Sequence, residues 1–191
     1  MPHPLVSQLR FTRSEFLRAV KGVSDTDACK RLLPMNCISW NIGHLAWQEQ
    51  RYFLYFGQGQ MLLPDINEAF AYGAPASTPT LKEVLKAWRA IIRAADPWLD
   101  TLTSEKLEQN VISQGQPTAR IYGNLLQRVI YHYWYHIGEN MAIRQQLGHL
   151  RLAQFVGNID GQAPYHPDRV VDGARVTIRR KKAATGKTSG G

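Results

Sequence analysis

Three features of the 191-residue sequence predict an all-α fold, a four-helix bundle with one or two long crossover connections. Four segments repeat apolar residues at spacings of three and four, no segment alternates apolar and polar residues convincingly, and two long irregular stretches separate the segments. The length suits one domain with a real core. Hydrophobic residues at 44% and charged residues at 20% are those of an ordinary globular protein, which excludes a wholly disordered or fibrous chain.

The first helix is read from Leu5, Leu9, Thr12, Phe16, Val20 and Val23, with Arg10, Arg13, Arg18 and Lys21 between them. The second is aromatic-rich, capped by Asn36 or Ser39, runs to about Tyr55 and is stopped by Gly57 and Gly59. The third follows Pro79, where Thr80 and Glu83 have capping-box spacing. Its buried stripe is Leu81, Val84, Leu85, Trp88, Ile91 and Ile92, and Asp96-Pro97 kinks or ends it. The fourth spans about Ile121 to Leu147 and stops at Gly148. Between the second and third lies a proline-containing connection from Gly57 to Pro79, long enough to be functional and to let two neighbouring helices run parallel. Glu108 to Ala119 is read as irregular, without strands.

The formal charge is 23 − 15 = +8, but six of the basic residues, Arg175, Arg179, Arg180, Lys181, Lys182 and Lys187, lie beyond Ala174 without an acidic neighbour. The body is therefore close to neutral. This divides the chain into a helical domain over residues 1–165 and a basic, disordered tail over 166–191 whose composition cannot bury a core. A solvated tail is favoured over a nucleic-acid arm. Cys29 and Cys37 lack C-x-x-C spacing, so neither a zinc knuckle nor a disulfide framework is expected. With no signal-peptide pattern and no apolar run of membrane-spanning length, the expected location is the cytoplasm.

The chemistry is carried by histidines. On a helix His132 and His136 lie about 40° apart, in a seam formed by Leu125, Val129, His132, His136, Glu139, Ile143 and Leu150. Burying two imidazoles and a carboxylate costs several kcal/mol, on the order expected for polar groups, unless each is satisfied. A divalent metal would satisfy them. For an isolated His-x-x-x-His pair the plainer reading, histidines bonded to tyrosines or carbonyls, is favoured. A third histidine tips the balance: His44 faces inward on the second helix, flanked by Trp40 and Trp47, with Gln48 and Arg51 close by on the same wheel. Three protein ligands leave a coordination position open, the arrangement of a catalytic metal, where water or a thiol is acidified. His149 is about 220° around and roughly 20 Å along the axis from His136 and fails as a ligand. His3 and His166 are read as surface residues.

The stretches Asn36-Cys-Ile-Ser-Trp-Asn-Ile-Gly-His44-Leu-Ala-Trp-Gln-Glu-Gln-Arg-Tyr-Phe53 and Ile130-Tyr-His132-Tyr-Trp-Tyr-His136-Ile-Gly-Glu139 resemble the DinB-like, YfiT-like superfamily of bacterial metal-binding four-helix bundles. The likeness extends through Pro75 to Trp88 and covers most of residues 1 to about 165. It implies an up-down-down-up bundle, often a homodimer, in which His44, His132 and His136 are the metal triad, usually for zinc and sometimes for nickel or iron. It also implies relatives that are thiol-dependent S-transferases and isomerases using bacillithiol, mycothiol or glutathione. One departure concerns the related ergothioneine-pathway sulfoxide synthases, which carry His-x-x-x-His-x-Glu and a further large domain. Here Gly138 intervenes, turning the carboxylate by about 100°, and that reaction is disfavoured.

The resulting expectation is a metal-dependent enzyme that transfers a low-molecular-weight thiol to an electrophilic small molecule. Glu139 supports a ligand or accepts a proton, Arg51 binds an anionic group, and Trp40, Trp47 and Gln48 line the cofactor site. A metal-dependent hydrolase and a non-catalytic, stress-related metal or small-ligand binding protein are the alternatives. No membrane partner is expected, and nucleic acid rests on the tail alone.

Overall fold

The computed structural model describes residues 2–165, so the basic tail and His166 lie outside the described residues. The fold is mostly helical with one small sheet. Helix α1, Pro4–Val20, begins with proline at a position where no backbone N–H is required, and His3 caps it by accepting from the Leu5 N–H. Ser24 caps the short α2, Asp25–Cys29. Helix α3, Ile38–Glu49, has Cys37 at its N-cap rather than Asn36 or Ser39, and no side chain caps its first turn. It continues as a π-helical stretch, Gln50–Tyr55, and a last turn α4, Phe56–Gln58, ended by Gly59 at φ +69°. The connection that follows is not structureless, since it contains α5, Pro64–Ala69.

Helix α6, Leu81–Leu99, has the full capping box of Thr80 and Glu83. It runs two residues past Pro97, so the proline falls inside the last turn and the helix ends soon after it. After α7, Ser104–Leu107, comes the main departure from the sequence expectation, an antiparallel hairpin of β1, Asn110–Ser113, and β2, Gln116–Ile121. Gln114 and Gly115 both have positive φ at its two-residue turn. The strand signal is faint because Val111 is the one fully buried position in either strand. Helix α8, Tyr122–Gln146, and a short α9, Ile159–Gln162, complete the described chain. Leu150, placed in the α8 seam by periodicity, is 86% exposed, since the helix has ended before it.

The four long helices pack around one core. Arg10 meets Asp100 and Arg13 meets Asp96, so α1 and α6 run in opposite directions. Phe11 meets Trp134 and the Arg144 guanidinium donates to the Ala19 carbonyl, so α1 and α8 run the same way. Asn41 meets Asn140 and Glu49 meets Tyr133, so α3 and α8 are antiparallel. Leu9, Phe16, Ile42, Leu45 and Ile91 are fully buried, each stabilising the fold by about 1.5–3 kcal/mol.

At the centre Glu49 Oε1 accepts from Arg13 Nε at 2.8 Å and from the Tyr133 hydroxyl at 2.6 Å. Trp88 Nε1 donates to that hydroxyl at 2.5 Å. Burial opposes charge on Arg13, but the Glu49 carboxylate more than compensates and raises its pKa. Burial, reinforced by Glu49, raises the Tyr133 phenol well above its usual value.

Candidate metal centre

The antiparallel crossing of α3 and α8 brings together the three histidines that the sequence spreads over 93 positions. One ring nitrogen of each of His44, His132 and His136 lies within 4.8 Å of the other two. His132 Nε2 and His136 Nε2 are 3.0 Å apart. The His44 ring stands edge-on to both, with centroids 4.9 and 5.5 Å away.

Each ring is held in place by neighbours. His44 lies between Trp40 and Trp47, stacked at 4.9 and 5.1 Å, as its i−4 and i+3 helical neighbours must. Its Nδ1 is 2.6 Å from the Phe70 carbonyl. A carbonyl only accepts, so Nδ1 carries the proton and Nε2 keeps a bare lone pair. Gly43 permits this approach, because a Cβ there would lie 2.6 Å from atoms of the Phe70 ring. His136 Nδ1 is likewise 2.7 Å from Glu139 Oε2, which frees its Nε2. Asn41 Nδ2 donates to the same carboxylate oxygen at 3.0 Å. A carboxylate or carbonyl behind a histidine is the usual outer support of a metal ligand.

Burial, joined by His136, His44 and Arg128, pushes the His132 pKa down to about 3. Burial also lowers the His44 pKa, against a smaller opposing effect of the Phe70 carbonyl. Neutral imidazole is the form that binds metal. The His132 Nδ1 is buried without a protein partner. Nitrogens held at about 2.0–2.1 Å by one tetrahedral ion stand roughly 3.4 Å apart, comparable with the observed grouping. The residues therefore fit a divalent cation, and nitrogen donors suit zinc, nickel or iron alike.

His44 and His132 open onto a cleft of about 740 Å³, which Trp47 and Gln48 also line. Trp40 lies behind His44 with its Nε1 unpartnered. Glu139 touches His136 and Asn41. Arg51 is set apart from the histidines, its guanidinium packed over Trp47 and Phe56 at 5.8 and 5.5 Å. His149 bridges Arg144 and Asp27, and His3 caps α1.

Sequence reasoning missed several contributors. Asn124, Gln127, Arg128 and Tyr131 line the cleft from α8. The helical wheel could have found Arg128, one turn before His132. The Phe70 carbonyl carried no such signal, because it is a backbone group from a distant connection.

A sequence profile describing the DinB superfamily matches residues 8–140. The chain belongs to the DinB superfamily. All three histidines and Glu139 of this DinB-superfamily chain fall inside the match, as do the Asn41 and Phe70 groups that orient them. No curated protein matches the chain significantly. Among the described residues, no helix is long and apolar enough to cross a membrane.

Proposed function

We propose that this chain is a divalent-metal-dependent enzyme that transfers a low-molecular-weight thiol to an electrophilic small molecule. His44, His132 and His136 hold the metal, zinc first, with nickel or iron as alternatives. The observation that carries the reading is three imidazole nitrogens grouped within 4.8 Å at the wall of a cleft of about 740 Å³, a volume suited to a small reactant. The helix pairings described above support an up-down-down-up four-helix bundle as the scaffold, with the site between its second and fourth long helices.

A metal held there supplies the Lewis acidity that brings a thiol to its nucleophilic form near neutral pH. The chain's own residues hold and shape the site. Glu139 is a positioning residue, fixing His136 through its Nδ1–H. Trp40 and Trp47 hold the His44 ring flat and keep water from its faces. Gln48 meets the reactant. In the transfer the thiol sulfur forms a C–S bond with the electrophilic carbon, the leaving group departs with the electron pair of the bond that breaks, and the thiol proton passes to solvent.

The test is thiol-dependent loss of monochlorobimane above the uncatalysed rate, measured with metal-loaded protein and with His132→Ala. Activity with wild type that disappears in the variant supports the proposal. Ester or amide cleavage without thiol would assign hydrolysis instead, and metal-loaded protein inert with every common thiol would overturn transfer.

A further inference from the structure

The cleft has a chemical polarity that the three histidines do not explain. No Asp or Glu lines it, and besides the histidines its one ionisable nitrogen group is the Arg128 guanidinium. Arg128 is exposed and forms no ion pair with another described residue. It precedes His132 by four residues on α8, so the two share a face about 6 Å apart along the axis. From the facing helix Gln48 lines the same cleft at 6% exposure. Its Oε1 is buried without a hydrogen-bond partner, which is costly for a polar atom unless something outside the protein pairs with the amide. Tyr52 follows one turn beyond Gln48, and Tyr72 and Tyr131 offer exposed rings at the rim.

We propose that Arg128 and Gln48 form a recognition subsite for a small carboxylate-bearing molecule, with Arg128 taking the carboxylate and the Gln48 amide taking a polar group nearer the histidines. The proposal rests on the reading of this cleft as the reactant site and specifies the reactant class. Arg51, which the sequence suggested for anion binding, is already occupied by aromatic faces. The guanidinium in the cleft is the one free to take a planar carboxylate in two parallel bonds.

The experiment compares 3-mercaptopropionate with 3-mercaptopropionamide, matched in shape and thiol and differing in charge. Cobalt-substituted full-length protein is titrated with each, and the visible spectrum reports thiol ligation. Ligand-observed NMR on the same samples reports binding whether or not the thiol reaches the metal. Wild type is expected to bind the carboxylate about tenfold more tightly, the order of one charge-assisted contact. Arg128→Gln should lose that preference while binding the amide as before, and Arg128→Lys should recover part of it. Equal binding of the two compounds by wild type, a preference unchanged in Arg128→Gln, or no binding of either compound overturns the subsite. If cobalt spectra respond equally to both thiols, thiol ligation stands and the subsite falls. If spectra never respond but NMR shows the Arg128-dependent preference, the subsite stands and thiol transfer falls.

Discussion

Glu49 and His44 are five residues apart on one helix, both buried, and both face α8, yet they belong to regions of opposite character. Around Glu49 the polar groups close on one another: Arg13, Tyr133 and Trp88 each direct a donor at an acceptor within the cluster, and Arg13 also reaches Asp96. Around His44 they do not. Among the described residues six buried side-chain atoms have no partner; apart from Arg31 Nε they are Trp40 Nε1, Asn41 Oδ1, Gln48 Oε1, His132 Nδ1 and Asn140 Nδ2, all five in the histidine cluster or its immediate supports. A folded protein tolerates few such atoms, so their concentration beside a cleft distinguishes a region built to receive something from one built to hold helices together. Identical burial thus has two meanings, and hydrogen-bond satisfaction separates them.

The largest expected effect tests the closed region. Glu49→Ala leaves the Arg13 charge buried with only half-exposed Asp96 to answer it. Breaking a buried pair in this way costs about 3–5 kcal/mol, or a Tm drop on the order of 10 °C for a domain of this size. Chemical denaturation of metal-free protein measures it. Replacing both partners by Leu and Met should recover much of the loss, because no charge is then left unpaired. A cost of Glu49→Ala below about 1 kcal/mol would mean that water already reaches the cluster, and the contrast would disappear.

His44→Ala probes the open region and should act mainly through bound metal. Without metal its cost is smaller, about 1–2 kcal/mol for the space left between Trp40 and Trp47. With free zinc at a hundred times its Kd, wild type gains about 2.7 kcal/mol. The variant should gain almost none, since two histidines on one helix remain. Thermal unfolding with and without zinc reads the difference. Equal stabilisation of the two proteins would show that zinc binds elsewhere.

What could be read from the sequence follows from where each signal is written. The long helices were legible because α1, α6 and α8 bury stripes at helical spacing, and the Thr80–Glu83 cap marks the start of α6 directly. The three histidines were legible as a group because two share one face of α8 and His44 is the polar member of an aromatic face on α3. Groups that act through the backbone or through small size were silent. The Phe70 carbonyl sets the His44 tautomer, and Gly43 makes room for it, but neither has a chemically distinctive side chain. The hairpin was missed because its Gln-Gly turn and single buried Val111 give little period-two contrast. The charge of Arg51 and its angle on the helical wheel point toward the site. The aromatic faces of Trp47 and Phe56 that occupy it are a tertiary fact.

The smallest expected effect is the sharpest test, because Tyr133 follows His132 directly in sequence. About 100° of helical rotation separates them, turning one toward Glu49 and Trp88 and the other toward the cleft. Tyr133→Phe deletes one hydroxyl, leaving Glu49 Oε1 its bond from Arg13 but depriving buried Trp88 Nε1 of its acceptor. The cost should be about 1–2 kcal/mol of stability, a few degrees in Tm. Zinc affinity, measured by competition with a chromophoric chelator, should change by less than about twofold, as expected when sites share no partner. If affinity instead falls as far as in His44→Ala, the closed cluster is part of the metal centre's support, and about 100° of helical rotation does not insulate structure from chemistry.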